Sequence, residues 1–159
     1  MNAQTPAALA REHPFVRGFE PQEIEKLVAL ARPVHFAKDE IVYREGEECR
    51  DFYLVVSGRV VLEITPPSGN FPFDTVEAGD EFGWTAMLGS HERVLQARAL
   101  QDTQVFAFDA GKLRALCESD TGFGYELMRR LLSAAVERLQ AVRLEVMDLY
   151  WPQAHLAGA

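Results

Sequence analysis

Between Val34 and Phe108 the chain runs through short segments rich in β-branched and aromatic residues, each closed within a few positions by turn formers. Val34–Phe36, Ile41–Tyr43, Phe52–Val56, Val60–Ile64, Phe73–Val76, Ala97–Leu100 and Gln104–Phe108 are the candidate strands. Lys38-Asp39-Glu40, Glu45-Gly46-Glu47, Ser57-Gly58-Arg59, Pro66-Pro67-Ser68-Gly69-Asn70 and Ala78-Gly79-Asp80 punctuate them. Branched and aromatic side chains suit a pleated, half-buried surface, and Gly, Pro, Asn and Asp take the backbone conformations that turns need. Many short strands at this spacing bury their inner faces as a sandwich or a barrel. The expected fold class is mainly β with flanking α.

The flanks follow a helical period. Met1 to Glu12 is Ala- and Gln-rich and reads as a frayed or short helical lead-in, broken at His13-Pro14-Phe15. Pro21 to Ala31 reads as a helix, with Pro in the first turn, Glu23 and Glu25 near the positive end of the dipole, and Ile24, Leu27, Val28 and Ala31 on one face. Arg32-Pro33 stops it. Lys112 to Cys117 is a short helix, and a long one runs from about Gly124 to Tyr150.

On the long helix, Met128, Leu132, Ala135, Leu139, Val142, Val146 and Leu149 step by alternating fours and threes, a heptad a/d seam. Leu127, Leu131 and Val136 lie on a flanking stripe. Two apolar stripes need two surfaces. One stripe can lie on the chain's own β domain, and the other meets the same helix of a second chain in a parallel homodimer. The alternative is a helix buried wholly against its own domain.

A length of 159 residues suits one domain with one core. The formal net charge of -8 argues against duplex DNA, which calls for a basic face, but leaves room for a small anion held by one or two arginines. No signal-peptide pattern opens the chain and no apolar run spans a bilayer, so a cytoplasmic protein off the membrane is expected, with Cys49 and Cys117 as free thiols. His13, His35, His91 and His155 are scattered without ligand spacing, which speaks against a metal enzyme of the cupin type, and G-x-S-x-G is absent. The expectation is a binding module, not an enzyme, with neither metal nor cofactor.

The order helix, short strands, two helices acquires a more specific likeness at particular residues. Phe36 with Glu40-Ile41-Val42-Tyr43-Arg44-Glu45-Gly46, and Phe52-Tyr53-Leu54-Val55-Val56-Ser57-Gly58-Arg59-Val60, resemble the paired signatures of the cyclic-nucleotide-binding domain family, effector domains of the catabolite-activator and Fnr type. Asp39 stands where the first signature has glycine. The resemblance covers roughly residues 13 to 150. It implies a double-stranded β-helix (jelly-roll) barrel with an N-terminal helix and a long C-terminal dimerisation helix. The chain then divides into a flexible lead-in 1–12, a barrel domain 13–120, a long helix 121–151 that dimerises and transmits the signal, and a tail 152–159. In the catabolite-activator type a helix-turn-helix follows the long helix; Pro152 to Ala159 are too few for one, so direct DNA binding is not expected.

The resemblance also implies a ligand site. Gly79-Asp80-Glu81-Phe82-Gly83-Trp84-Thr85-Ala86-Met87-Leu88 is similar to the family's phosphate-binding cassette, followed by Arg93 and the strand bearing Arg98-Ala99. A helix starting near Gly83 would offer the backbone amides of Gly83, Trp84, Thr85 and Ala86 to an anion, and Arg93 would add a charged fork. Three positions depart from the pattern. Trp84 replaces the glutamate that accepts from the ribose 2′-hydroxyl, Val94 replaces a small or hydroxyl residue, and Val142 and Arg143 stand where hydroxyl residues reach the base. Gly83, Trp84, Thr85, Ala86, Arg93, Val94 and Arg143 are the candidate ligand residues. Cyclic AMP or cyclic GMP, bound weakly or in altered fashion, is the implied ligand, and an unidentified downstream protein the implied partner. Bland readings stand beside these: Arg93 as a surface arginine paired with Glu92, Trp84 as a plug in a ligand-free domain, Arg98 as a structural partner of Glu81 or Asp80, and Arg143 as a solvated helix residue.

Overall fold

A computed structural model describes residues 4–89 and 91–150. The described chain opens with three short helices, α1 (Pro6–Glu12), α2 (Pro14–Arg17) and α3 (Pro21–Leu30). Strands β1 (Arg32–Phe36), β2 (Ile41–Tyr43), β3 (Asp51–Ser57), β4 (Arg59–Ile64), β5 (Phe71–Glu77) and β6 (Glu81–Phe82) follow. A short 3-10 helix, η1 (Trp84–Leu88), separates them from β7 (Gln96–Ala99) and β8 (Thr103–Asp109). Helices α4 (Ala110–Ser119) and α5 (Thr121–Tyr150) come last. The strands form two four-stranded antiparallel sheets, ordered β1-β8-β3-β6 and β2-β7-β4-β5. Contacts divide the chain into two compact units after Gly124.

β3 and β8 explain the build of the first unit. They pair from Asp51↔Asp109 to Ser57↔Gln104, and both read as almost unbroken apolar runs. Such runs arise where both faces of a sheet are covered. Tyr53, Val55, Val105 and Ala107 join Tyr43, Val60, Val76, Phe82 and Ala97 in the core between the sheets. The alternate residues point the other way. Phe52 lies 5.6 Å from the Phe15 ring and 6.1 Å from Phe108 (ring centroids), and Phe19 continues the aromatic layer to Phe123. Phe52, Leu54, Phe106, Phe108, Leu113 and Phe123 are all buried.

Capping sets the helix ends. Thr5 caps α1, and the Asp109 carboxylate accepts from Lys112 N to start α4. Asp120 accepts from Phe123 N at the head of α5 while holding Lys26 of α3 in an ion pair. The break expected at His13-Pro14-Phe15 is two events in one place. Pro14 opens α2, and His13 is both the C-cap of α1 and the N-cap of α2. Its Nδ1 accepts from Phe15 N at 3.2 Å and its Nε2 lies 2.9 Å from the carbonyl of Val55. A nitrogen that accepts from an amide carries no proton, so Nε2 holds the proton and donates it to Val55. The lead-in is ordered over Pro6–Glu12, and the two-residue β6 is a strand that periodicity does not reveal. α5 extends three residues further toward the N-terminus than the Gly124 start expected from the sequence.

Burial lowers the His13 pKa below its ordinary value, against smaller opposing contributions from the Val55 carbonyl and the Asp80 charge. The unfolded chain then takes up the proton more readily than the folded one. His13 therefore contributes stability above an unfolded pKa of about 6.5, and that contribution shrinks as pH falls from there through the depressed folded value. The urea midpoint of the wild type is expected to drop between neutral pH and mildly acidic pH. In His13→Asn, which keeps an N-cap acceptor, this part of the drop disappears; equal pH slopes in the two proteins would refute the assignment.

Candidate functional site

The cassette is built on the end of β6. Phe82 pairs with Tyr53 in the sheet, their rings stacked at 4.7 Å, and the chain then turns sharply at Gly83, whose φ is +81°. That conformation strains any side-chain-bearing residue. Space also demands glycine: an added Cβ would lie 3.1 Å from Asp51 O, 3.2 Å from Arg93 Nη1 and 3.2 Å from Tyr53 Cδ2. Gly83 thus lets strand β3 and the Arg93 guanidinium close on the turn together. Its carbonyl accepts from Ala86 N at 3.2 Å. That bond corrects one expectation, because the Ala86 amide is spent inside η1 and is not offered to a ligand. η1 spans only Trp84–Leu88, so positive charge at the site comes chiefly from Arg93.

Arg93 is 4% exposed, not a surface arginine beside Glu92. Its backbone is locked to the opposite loop, with Arg93 N donating to Glu47 O and Gly46 N donating to Arg93 O, both at 2.7 Å. Its guanidinium carbon lies 4.0 Å from the centre of the Tyr43 ring, and Nη2 donates to Asp51 O. Nε and Nη1 are buried and have no hydrogen-bond partner among the described residues. Leaving a buried donor unsatisfied costs about 1–3 kcal/mol, more for a charged group.

Tyr43 and Tyr53 complete the surroundings. Burial, reinforced by the nearby Asp51 charge, pushes the Tyr53 hydroxyl up to about 12, so it stays protonated and able to donate. Thr85 Oγ1 lies 3.2 Å from the buried Cys49 thiol, which ties η1 to the loop before β3. Arg114 of α4 donates to Ala86 O. Trp84 is half-buried, with its indole nitrogen inside the protein.

Of the expected ligand residues, Gly83, Trp84, Thr85 and Ala86 form the turn and η1, and Arg93 closes on Gly83. Val94 does not join them; it is 70% exposed. Arg143 lies on α5 and is exposed. Arg98 does not pair with Glu81 or Asp80. Its Nε and Nη2 bond the two oxygens of Glu63 at 2.9 and 3.1 Å, and Asp39 takes Nη1. Arg98 is the main cause holding the Glu63 carboxyl below the ordinary range, against its burial. β7 pairs with β4, and that register sets Glu63 beside Gln96 and Arg98. Tyr43, Asp51 and Tyr53 were absent from the sequence-derived list. Nothing local assigns the two tyrosines to an arginine so distant in the chain. Among the described residues no three His, Cys, Asp or Glu side chains converge as a metal site, and no helix is long and apolar enough to cross a membrane.

Comparison with known proteins agrees with this geometry. The profile of the cyclic nucleotide-binding domain family matches residues 33–120. The CRP-like cAMP-activated global transcriptional regulator of Mycobacterium tuberculosis is 27% identical over 142 residues, 89% of this chain and 61% of the relative. The chain thus spans about three-fifths of the length of that relative. A cyclic nucleotide-binding domain from Methylobacillus flagellatus superposes with a TM-score of 0.79 at 18% identity, covering 87% of this chain and 82% of the other. The catabolite activator protein of Thermus thermophilus superposes at 0.69 with 24% identity, covering 86% and 63%.

Gly83 and Gly46 allow a controlled test of the turn. Both have positive φ, but a Cβ at Gly46 meets nothing within 4 Å. Gly46→Ala is expected to cost only the left-handed strain, about 1–2 kcal/mol. Gly83→Ala should cost visibly more, because Arg93, Tyr53 and β3 must also give way. Equal losses in urea denaturation would contradict the packing described.

Proposed function

The chain belongs to the cyclic nucleotide-binding domain family, and from that premise we propose that it is a sensor module. It binds a small anion, a cyclic nucleotide or a related ligand, at the Gly83 turn and Arg93, and it passes the bound state through α5 to a protein partner. It is not an enzyme, and it acts in a reducing, cytoplasmic compartment that suits its free Cys49 and Cys117.

The observation that carries this reading is the pair of buried, unsatisfied donors on Arg93 beside a glycine whose missing Cβ leaves room for them. A phosphate oxygen would satisfy them, at strengths above those of neutral hydrogen bonds. Trp84 shapes which anion fits. Indole donates but cannot accept, so a ribose 2′-hydroxyl finds no carboxylate there. The contrary reading, a ligand-free module of the same fold, draws on the same two residues. Arg93 is already engaged by Asp51 O and the Tyr43 face, and Trp84 brings bulk to the cassette.

The module works as a parallel homodimer. Along α5, Met128, Leu132, Leu139, Val146 and Leu149 are exposed, Leu132, Leu139 and Leu149 by 66%, 70% and 76%, with Ala135 and Val142 half-buried between them. A continuous apolar stripe of this length calls for a partner, and heptad spacing makes it complementary to itself.

Calorimetry with cyclic AMP and cyclic GMP decides between the two readings. Wild type is expected to bind cyclic AMP no tighter than about 100 μM, since the ribose hydrogen bonds are lost. Arg93→Ala should weaken whatever binding is seen by about tenfold to a hundredfold. Trp84→Glu should tighten cyclic AMP binding by restoring an acceptor. No heat with either nucleotide, in wild type and Trp84→Glu alike, would favour the ligand-free reading. In sedimentation, Leu139→Glu should convert dimer to monomer; a monomeric wild type at micromolar concentration would defeat the dimer.

A further inference from the structure

Away from the cassette, a hollow of about 250 Å³ opens in the first unit between α1 and the sheet β1-β8-β3-β6. The register of β1 on β8 explains its floor. His35 lies opposite Gln104 and Pro33 opposite Phe106, so these four side chains share one face of the ladder, while Val105 points the other way into the core. Pro6 and Leu9 of α1 and Val56 of β3 close the sides. Pro6 and Phe106 also line a second hollow of about 320 Å³, bounded by Ala7 and Ala10 of α1 and by Val28 and Ala31 at the end of α3. Short side chains from both helices leave that space unfilled.

No Asp, Glu, Lys or Arg lines either hollow, on a chain whose net charge is -8. Apart from Thr5 and the His35–Gln104 pair, the lining side chains are hydrocarbon. His35 and Gln104 are exposed, and among the described residues no side-chain hydrogen bond or ion pair engages either of them. A neutral imidazole and a carboxamide each donate and accept. A guest therefore finds walls that suit an apolar body and one polar end that suits an uncharged group. Water, which needs about two to four polar partners, is poorly held by such walls, and apolar cavities of about 150 Å³ already admit a benzene-sized molecule.

We propose that this hollow is a second binding site, for a neutral amphiphile: a medium-length acyl or alkyl chain lying over Phe106, with an alcohol, amide or ester head at His35 and Gln104. A free carboxylate would meet no lysine or arginine there. The site is independent of Arg93 and of the anion reading given above.

Amide NMR titration of the full chain with 1-octanol tests the inference. The amides of His35, Val56 and Phe106 are expected to shift saturably, with a Kd of roughly 0.1–1 mM. Shorter alcohols should bind more weakly, by roughly fourfold for each methylene removed. Octanoate should bind more weakly than 1-octanol, because its charge would be desolvated without a partner. Val56→Phe, which fills the hollow, should abolish these shifts, and Gln104→Ala, at an exposed position, should weaken binding about two- to tenfold. Arg93→Ala should leave the shifts unchanged. Should Val56→Phe fail to fold, the wild-type shift map and Gln104→Ala decide the matter. Shifts confined to the exposed α5 residues Leu132, Leu139 and Val146 would overturn the site, as would the absence of saturable shifts. Octanoate binding as tightly as 1-octanol would overturn the neutral head, and with it the proposal.

Discussion

Strands β3 and β8 must bury two faces at once, and the rest of the first unit is arranged to let them. Phe52, Leu54, Phe106 and Phe108 leave the sheet on the side of the aromatic layer formed by Phe15, Phe19 and Phe123, while Tyr53, Val55, Val105 and Ala107 leave it toward the second sheet. Side chains of this size each contribute about 1.5–3 kcal/mol when fully buried, so neither face can be left to water. The ladder also fixes the site. Tyr53 stacks on Phe82, Asp51 offers its carbonyl to Arg93, and both press on Gly83. The cassette's position is thus a consequence of where β3 runs, not of the cassette sequence alone.

What the sequence made legible tracks how local each signal is. Strand identity showed through composition and turn residues, which act within a few positions, and the sheet-rich core with its helical flanks followed. α5 was legible through its period, as were the stop at Arg32-Pro33 and the cassette's similarity to a known pattern. Features that depend on register were not. Glu63 meets Arg98 because β4 lies beside β7, and no spacing along the chain encodes that adjacency. β6 is too short to show a period. Tyr43 reached Arg93 only through closure of the barrel. The break read at His13-Pro14-Phe15 is where α1 ends and α2 begins, but the double capping role of His13 was not legible, because it depends on the His13 side chain reaching Phe15 N and the Val55 carbonyl.

The site combines strong donors with few acceptors. Arg93, the protonated Tyr53 hydroxyl and the indole of Trp84 all favour negative or electron-rich groups, and the Asp51 carbonyl is already occupied. Burial sharpens that preference, because an unmet donor is costlier away from water. Membership of the family accounts for the architecture that sets these donors side by side.

The bond from Arg114 to the carbonyl of Ala86 joins α4 to the middle of η1. An arginine side chain is a string of rotatable single bonds ending in a rigid plane. Drawn out, such a string becomes taut and carries load; slackened, it folds and carries almost none. Movement of η1 away from α4 therefore tugs on the helix, whereas movement toward it is absorbed by rotamer changes. The linkage is therefore a tether and not a rod, resisting separation of the two elements more than their approach.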